Sequence, residues 1–115
     1  MEVSDFKPSG PAKLELVDFR GQPTGVFFEL LSQDEPEVIR AQRDFAKRHK
    51  GNLHELLYEQ TTEALAAATV SWNLTENGKE LECNRENARK LYREVAFIRE
   101  QVLSFSNDRA NFAGN

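Results

Sequence analysis

The sequence predicts a single α+β domain that is mostly helical, with an N-terminal β-hairpin packed on three or four helices. Two observations lead to this class. Apolar residues alternate with polar ones early in the chain, and farther on they recur at helical spacing behind capping residues. A length of 115 residues is typical of one domain. We expect a flexible tail at 1–12, one domain over 13–112 and a short C-terminal tail at 113–115.

The predicted N-terminal tail contains Pro8, Gly10 and Pro11, which interrupt regular structure. Its remaining residues offer little that could enter a core, except Phe6, which is a candidate for docking on another surface. Chain ends of this composition are commonly poorly ordered.

Two alternating runs on either side of a turn predict the hairpin. Leu14 and Leu16 alternate with their neighbours in the first run, and the segment 20–25 then supplies two glycines and a proline. In the second run Phe27 and Phe28 point to opposite faces of one strand. We therefore expect one face of this strand to pack on helices and the other on a neighbour or a partner.

Capping residues and charge predict the first two helices. The first spans about 36–49, where Ser32 or Asp34 can cap the start and a basic run suits the end. The second begins after Asn52 and follows an apolar stripe to about residue 70 or 72.

The third helix is predicted to follow the capping residue Asn84. Its apolar residues continue at helical spacing to Phe105 without Gly or Pro, which allows one helix over about 85–105 and leaves open a break near 94–97. Between the second and third helices, the pair Asn77-Gly78 predicts a tight turn in a loop or a very short hairpin.

Charge and hydropathy exclude several function classes. The chain carries 15 basic and 19 acidic side chains, a formal net charge of −4, which disfavours binding to nucleic acid. No apolar run approaches the roughly 18 residues that span a bilayer, and the N-terminus lacks the profile of a signal peptide. We expect a cytoplasmic protein with neither nucleic acid nor a membrane among its partners.

Residues with catalytic potential are few. His49 and His54 are the only histidines, and their spacing does not match a zinc-binding helix. Cys83 is the only cysteine, which excludes an internal disulfide and a multi-cysteine zinc site. Because phosphate-binding and nucleophile motifs are also missing, we predict no catalytic residue, no bound metal and no cofactor.

Two rows of like charge follow helical spacing. Their members are Glu55, Glu59 and Glu63 on the second helix, and Arg85, Arg89 and Arg93 on the third. Like charges one turn apart repel by a few tenths of a kcal/mol, roughly, so an opposing row would help. One interpretation is two solvated faces, since exposed ion pairs contribute only about 0–1 kcal/mol. The other is that the acidic row of one subunit meets the basic row of another.

Aromatic residues are numerous for a chain of modest hydrophobicity, with eight Phe, two Tyr and one Trp. Most of them are expected to fill the core. A domain of this size cannot easily hide all of them, so we propose Phe27, Phe28, Trp72 and Phe112 as interface candidates.

An ordered set of motifs over residues 14–112 resembles a known family. The motifs are a strand behind the turn Gly21-Gln22-Pro23-Thr24-Gly25, the helix start Asp34-Glu35-Pro36-Glu37, Trp72 near Asn77-Gly78-Lys79, the helix start Glu86-Asn87, and the late aromatic Phe112. Together they are similar to the small tail assembly chaperones of tailed bacteriophages and prophages.

The resemblance implies a non-enzymatic protein that self-associates, holds the tape measure protein in solution and helps to recruit tail tube protein. It also implies action in the host cell cytoplasm and absence from the mature virion. The composition alone equally suits a small interaction adaptor, either antitoxin-like or a transcriptional cofactor. An enzyme is a third class, which would require a catalytic role for the region of His49 and His54.

Overall fold

The computed structural model describes residues 1–114, and its four α-helices and small antiparallel sheet confirm the predicted α+β class. The helices are α1 (Pro36–Arg48), α2 (Leu53–Ala68), α3 (Arg85–Glu94) and α4 (Ala96–Asn107). The strands are β1 (Ala12–Val17), β2 (Pro23–Leu30), β3 (Thr69–Trp72), β4 (Thr75–Glu76) and β5 (Lys79–Glu80). Two single 3-10 turns, at Val3–Phe6 and Arg109–Phe112, lie near the ends.

The predicted hairpin is β1 paired antiparallel with β2, and a third strand that we did not predict completes the sheet in the order β1-β2-β3. The expected continuation of the second helix to residue 70 or 72 is wrong, because α2 ends at Ala68 and the chain enters β3. Trp72 lies opposite Phe28 in this pairing. β3 thus pairs with the edge of β2 that β1 leaves free, and this strand comes from the same chain.

Two side-chain amides extend the sheet where backbone partners end. The amide of Gln101 on α4 accepts from the N–H of Val17 at 2.9 Å and donates to its carbonyl at 3.1 Å. Similarly, the amide of Asn73 accepts from the N–H of Phe27 at 2.7 Å and donates to the carbonyl of Gly25 at 3.0 Å. These bonds satisfy strand groups that would otherwise need water or another strand.

The main core lies between one face of the sheet and helices α2, α3 and α4. Its buried members are Leu16, Phe28, Leu30, Leu65, Ala66, Ala88, Tyr92 and Val102. Helix α1 packs on the other side of α2, where Val38 meets the small residues Ala64 and Ala68. The alanines allow α1 to approach closely, so α1 and α2 form a helical hairpin beside the main core.

The break that the sequence left open near 94–97 is present at Val95, which separates α3 from α4. No Gly or Pro causes it. The carbonyl of Tyr92, at the end of α3, instead accepts from Arg99 Nη1 at 3.4 Å and from the Tyr58 hydroxyl at 3.5 Å. Tertiary partners thus bond to the last turn of α3.

Asn52 and Asn84 cap α2 and α3 as predicted, accepting from backbone N–H groups at 2.9 and 2.8 Å. The expected cap of α1 by Ser32 or Asp34 is wrong. The N-cap is Glu35, without a side-chain bond, and the Ser32 hydroxyl accepts from the N–H of Asp34 at 3.0 Å instead.

The predicted N-terminal tail is joined to the end of the domain. The backbone N–H and the hydroxyl of Ser9 both donate to the carbonyl of Phe112, at 2.9 and 3.0 Å. Before this anchor, Glu2 and Asp5 stabilise the first 3-10 turn by reciprocal capping bonds. The turn therefore has a defined shape although its side chains are exposed.

Candidate interaction surfaces

The two charge rows meet within one chain, on facing sides of α2 and α3. Arg89 donates from Nε and Nη2 to the two carboxylate oxygens of Glu63, each at 2.7 Å. Arg93 Nε donates to Glu59 at 2.9 Å. Glu63 is only 5% exposed. The interpretation as a contact between subunits is wrong for these four residues, because their partners lie in the same chain. The interpretation as a solvated face is wrong for Glu63, which is buried.

The outer members of each row have no such partner. The pairs Glu63–Arg89 and Glu59–Arg93 run in opposite directions along the two helices. Continuing the same pattern would place Glu55 beyond the end of α3 and Arg85 opposite an alanine of α2. Within residues 1–114, neither has an opposite charge within 4.0 Å. Two ion pairs therefore join α2 and α3, and we name them the ladder, with each pair one rung. In this part of the chain, the end of α3 leaves Glu55 without a partner, and an alanine faces Arg85.

The ladder changes the acidity of its buried carboxyl. Hydrogen bonds from Arg89 hold the pKa of Glu63 below its ordinary value, although burial acts in the opposite direction. The nearby charges of Arg85 and Arg93 lower the pKa further. Glu63 is thus held as a carboxylate by three arginines of the same chain.

A buried cation that we did not predict lies between α2, α3 and α4. Arg99 is 7% exposed, and its guanidinium carbon lies 3.7 Å from the centre of the Tyr58 ring. It donates to the Thr62 hydroxyl at 2.6 Å and to the Tyr58 carbonyl at 2.9 Å. Within the described chain no carboxylate lies within 4.0 Å of it. No motif in the sequence marks this residue, because its partners come from two other helices.

The aromatic interface candidates divide into two groups. Phe28 and Phe112 are 0% and 2% exposed, so the expectation that they form an interface is wrong. They fill the interior of this chain. Phe27 and Trp72 are half-buried. Lys13 Nζ covers the Phe27 ring at 5.1 Å, and Trp72 Nε1 donates to a backbone carbonyl at 2.7 Å.

The largest exposed apolar side chains of α2 are at the turn that joins it to α1. Leu53 and Leu57 are 67% and 52% exposed. Both lie on the apolar stripe that the sequence predicts for α2, but the folded chain leaves them exposed. This surface lies at the closed end of the helical hairpin formed by α1 and α2. We name it the hairpin end and define it by Lys47, Arg48, Lys50, Leu53 and Leu57.

A second exposed apolar surface is the N-terminal arm, which we define as residues 1–6. Val3 and Phe6 are 73% and 74% exposed in its 3-10 turn. The sequence marked Phe6 as a docking candidate, and this side chain stays uncovered in its own chain. Val3 was missed, because an isolated valine in a polar segment carries no periodic signal.

The residues with catalytic potential lie apart. His49 stacks on Phe45 with ring centres 4.0 Å apart, and His54 is exposed in the first turn of α2. Cys83 is half-buried, and burial raises the pKa of its thiol. Within residues 1–114, His, Cys, Asp and Glu form no group of three able to hold a metal ion.

None of the helices in residues 1–114 has both the length and the apolar character needed to cross a membrane. Comparison with models of known families, with curated proteins and with solved structures finds no match for this chain.

Proposed function

We propose that this chain is a non-enzymatic assembly chaperone of phage tails. It self-associates, binds and solubilises the tape measure protein, and helps to recruit tail tube protein. It acts in the host cell cytoplasm and leaves before the virion is complete. The ordered motifs over residues 14–112 support this choice of family.

The observation that carries the proposal is the presence of two separate exposed apolar surfaces on one small chain. Val3 and Phe6 form the first on the N-terminal arm, and Leu53 and Leu57 form the second on the hairpin end. Clustered exposed apolar side chains are typical of interaction sites. A chain with two different surfaces can contact two neighbouring copies at once, which self-association along a client requires.

Several copies of the chain can bind along one long client, and their number raises the overall affinity. A small surface binds weakly, but copies that also hold one another present many weak sites to the same client. The effective concentration of each further site then raises the overall affinity by a factor of about 10² or more. Self-association and client binding therefore support each other.

The direct test is co-expression with the tape measure protein of the same phage. We expect the tape measure protein to be insoluble alone. When both are present, it should become soluble and co-purify with several copies of our chain. A non-binding acidic protein of similar size serves as the control. If the tape measure protein stays insoluble and unbound, the proposal is wrong.

The gene neighbourhood gives a second test. We expect a very long helical open reading frame directly downstream of this gene. A toxin gene or a transcription factor gene in that place would instead favour the adaptor class, and would contradict the chaperone proposal.

A further inference from the structure

We propose that the N-terminal arm of one copy binds the hairpin end of a second copy, so that the chains associate head to tail. The inference deepens the self-association part of the proposed function and rests on it, and it names the two surfaces that meet. Four observations support it. Both surfaces expose apolar side chains, their charges are opposite, they lie far apart within one chain, and the arm has a fixed shape.

The apolar side chains of both surfaces lack cover within their own chain. On the arm, Val3 and Phe6 are 73% and 74% exposed. On the hairpin end, Leu53 and Leu57 are 67% and 52% exposed and lie one helical turn apart on the same side of α2. Burying both pairs against each other removes all four from water, which favours association.

The charges around these side chains are opposite. The arm carries the carboxylates of Glu2 and Asp5, and its one positive group is the α-amino group of Met1, with Lys7 directly after the arm. The hairpin end carries Lys47, Arg48 and Lys50, and the stretch from 47 to 57 contains one acidic residue, Glu55, in a chain whose net charge is −4. In the part of the chain that the structure describes, none of these three basic groups has a carboxylate within 4.0 Å. They remain free to attract an acidic, apolar segment of another copy.

With its 3-10 turn folded, the arm does not reach the hairpin end of its own chain. Phe6 lines the same groove as Ser32 and Asp34, just before α1 begins, whereas the hairpin end lies at the last turn of α1 and the start of α2. The 13 residues of α1 span about 20 Å. From its anchor at Ser9, the chain can carry Phe6 by only about 10 Å.

The contact therefore joins two copies and uses a different surface from each. A single contact of this kind leaves one arm and one hairpin end free, to which further copies can bind. It produces open chains, or closed rings where the rotation allows, the smallest of which is a reciprocal two-fold dimer.

The arm has a fixed shape before it binds. The backbone N–H of Glu2 donates to the Asp5 carboxylate at 2.8 Å, and the N–H of Asp5 donates to the Glu2 carbonyl at 3.0 Å. A preformed turn loses less conformational freedom on binding. The contact is smaller than the roughly 800 Å² per partner of a standard stable interface, so association should be reversible and concentration-dependent.

Sedimentation velocity over a wide concentration range, near 0.05 M salt, tests the contact. We expect the wild-type chain to form assemblies that grow with concentration and shrink when salt is raised to about 0.5 M. The arm variant Val3→Ser/Phe6→Ser and the end variant Leu53→Ser/Leu57→Ser should each associate at least about tenfold more weakly. Phe19→Ser is the matched control, because Phe19 is 90% exposed and lies on neither surface. Circular dichroism of each variant checks that the helices are retained.

Mixing the two variants gives the decisive result. The arm variant keeps an intact hairpin end, and the end variant keeps an intact arm. An equimolar mixture should therefore form one intact contact and stop at a heterodimer of about twice the 13.1 kDa chain mass. Longer assemblies should not appear.

Three results would overturn the inference. The first is a wild-type chain that is monomeric at all concentrations, and the second is either variant assembling like the wild type. The third is a mixture of the two variants that forms no heterodimer, which would mean that each surface binds something else, such as the client. Co-expression with the tape measure protein separates this failure from that of the chaperone role, since client solubilisation can persist when the arm contact is wrong.

Discussion

Arg89 on α3 donates to both carboxylate oxygens of Glu63 on α2, each at 2.7 Å. This pair is more deeply buried than the pair formed one turn away by Arg93 and Glu59. The side chain of Glu63 is 6% exposed, whereas those of Glu59 and Arg93 are 32% and 47% exposed. The two ion pairs of the ladder thus have the same charged groups but differ in their exposure to solvent. Their contributions to stability should differ accordingly.

The first prediction compares Arg89→Ala with Arg93→Ala. Removing Arg89 leaves a buried carboxylate without its partner, which should lower the free energy of unfolding by about 2–4 kcal/mol. Removing Arg93 breaks an exposed pair and should cost about 1 kcal/mol or less. Urea unfolding measures both values.

The double variant Glu63→Met/Arg89→Met is the control for this prediction. It removes both charges and keeps much of the apolar volume, so it should recover most of the loss seen in Arg89→Ala. Equal losses for Arg89→Ala and Arg93→Ala would contradict the assigned roles of the two rungs.

The second prediction concerns acid. Hydrogen bonds from Arg89 and from Arg109 lower the pKa values of Glu63 and Asp34 in the folded chain. The unfolded chain therefore takes up protons first as the pH falls. The stability from these groups is present above their unfolded pKa values, about 4.3 and 3.9, and is lost as the pH falls through the lower folded values.

Urea unfolding at several pH values measures this effect. The wild type should lose stability below about pH 4.5. Glu63→Gln should be less stable near neutral pH and should lose less on acidification. Asp34→Asn should change the profile less, because Arg109 has an 83% exposed side chain and solvent screens this pair. Parallel profiles for the wild type and Glu63→Gln would refute the role given to Glu63.

The third prediction compares two glycines with equal space around them. A methyl side chain at Gly78 or at Gly51 would meet no atom within 4 Å beyond its chain neighbours, but only Gly78 has a positive φ, at +77°. Gly78→Ala should cost about 1 kcal/mol of unfolding free energy, and Gly78→Val more. Gly51→Ala should be neutral or slightly stabilising. Thermal unfolding that is unchanged in Gly78→Val would show that the turn tolerates another conformation.

The fourth prediction tests the buried cation. Arg99→Ala removes the bonds to Thr62 and to the Tyr58 carbonyl and opens a cavity, which should lower the free energy of unfolding by about 3 kcal/mol or more. Arg99→Met fills much of the same volume without burying a charge, so its cost should be about 1.5 kcal/mol or less. If both variants lose the same amount, hydrogen bonding rather than packing explains the contribution of Arg99.

Local patterns in the sequence determined the element types and several boundaries. The hairpin, the first residues of α2 and α3, and the turn at Asn77-Gly78 follow from alternation, capping residues and turn residues. These signals act between residues that are close in the chain. They can therefore be recognised without knowledge of the fold.

Only the tertiary structure decided which surfaces are free. Glu63 and Arg89 are 26 positions apart and satisfy each other, so the charge row that suggested a subunit interface is used inside the chain. Phe28 is buried, whereas Leu53, on an equally apolar stripe, is exposed. Periodicity shows which side of a helix is apolar. Whether another element covers that side depends on how the elements pack, and this is a property of the assembled fold.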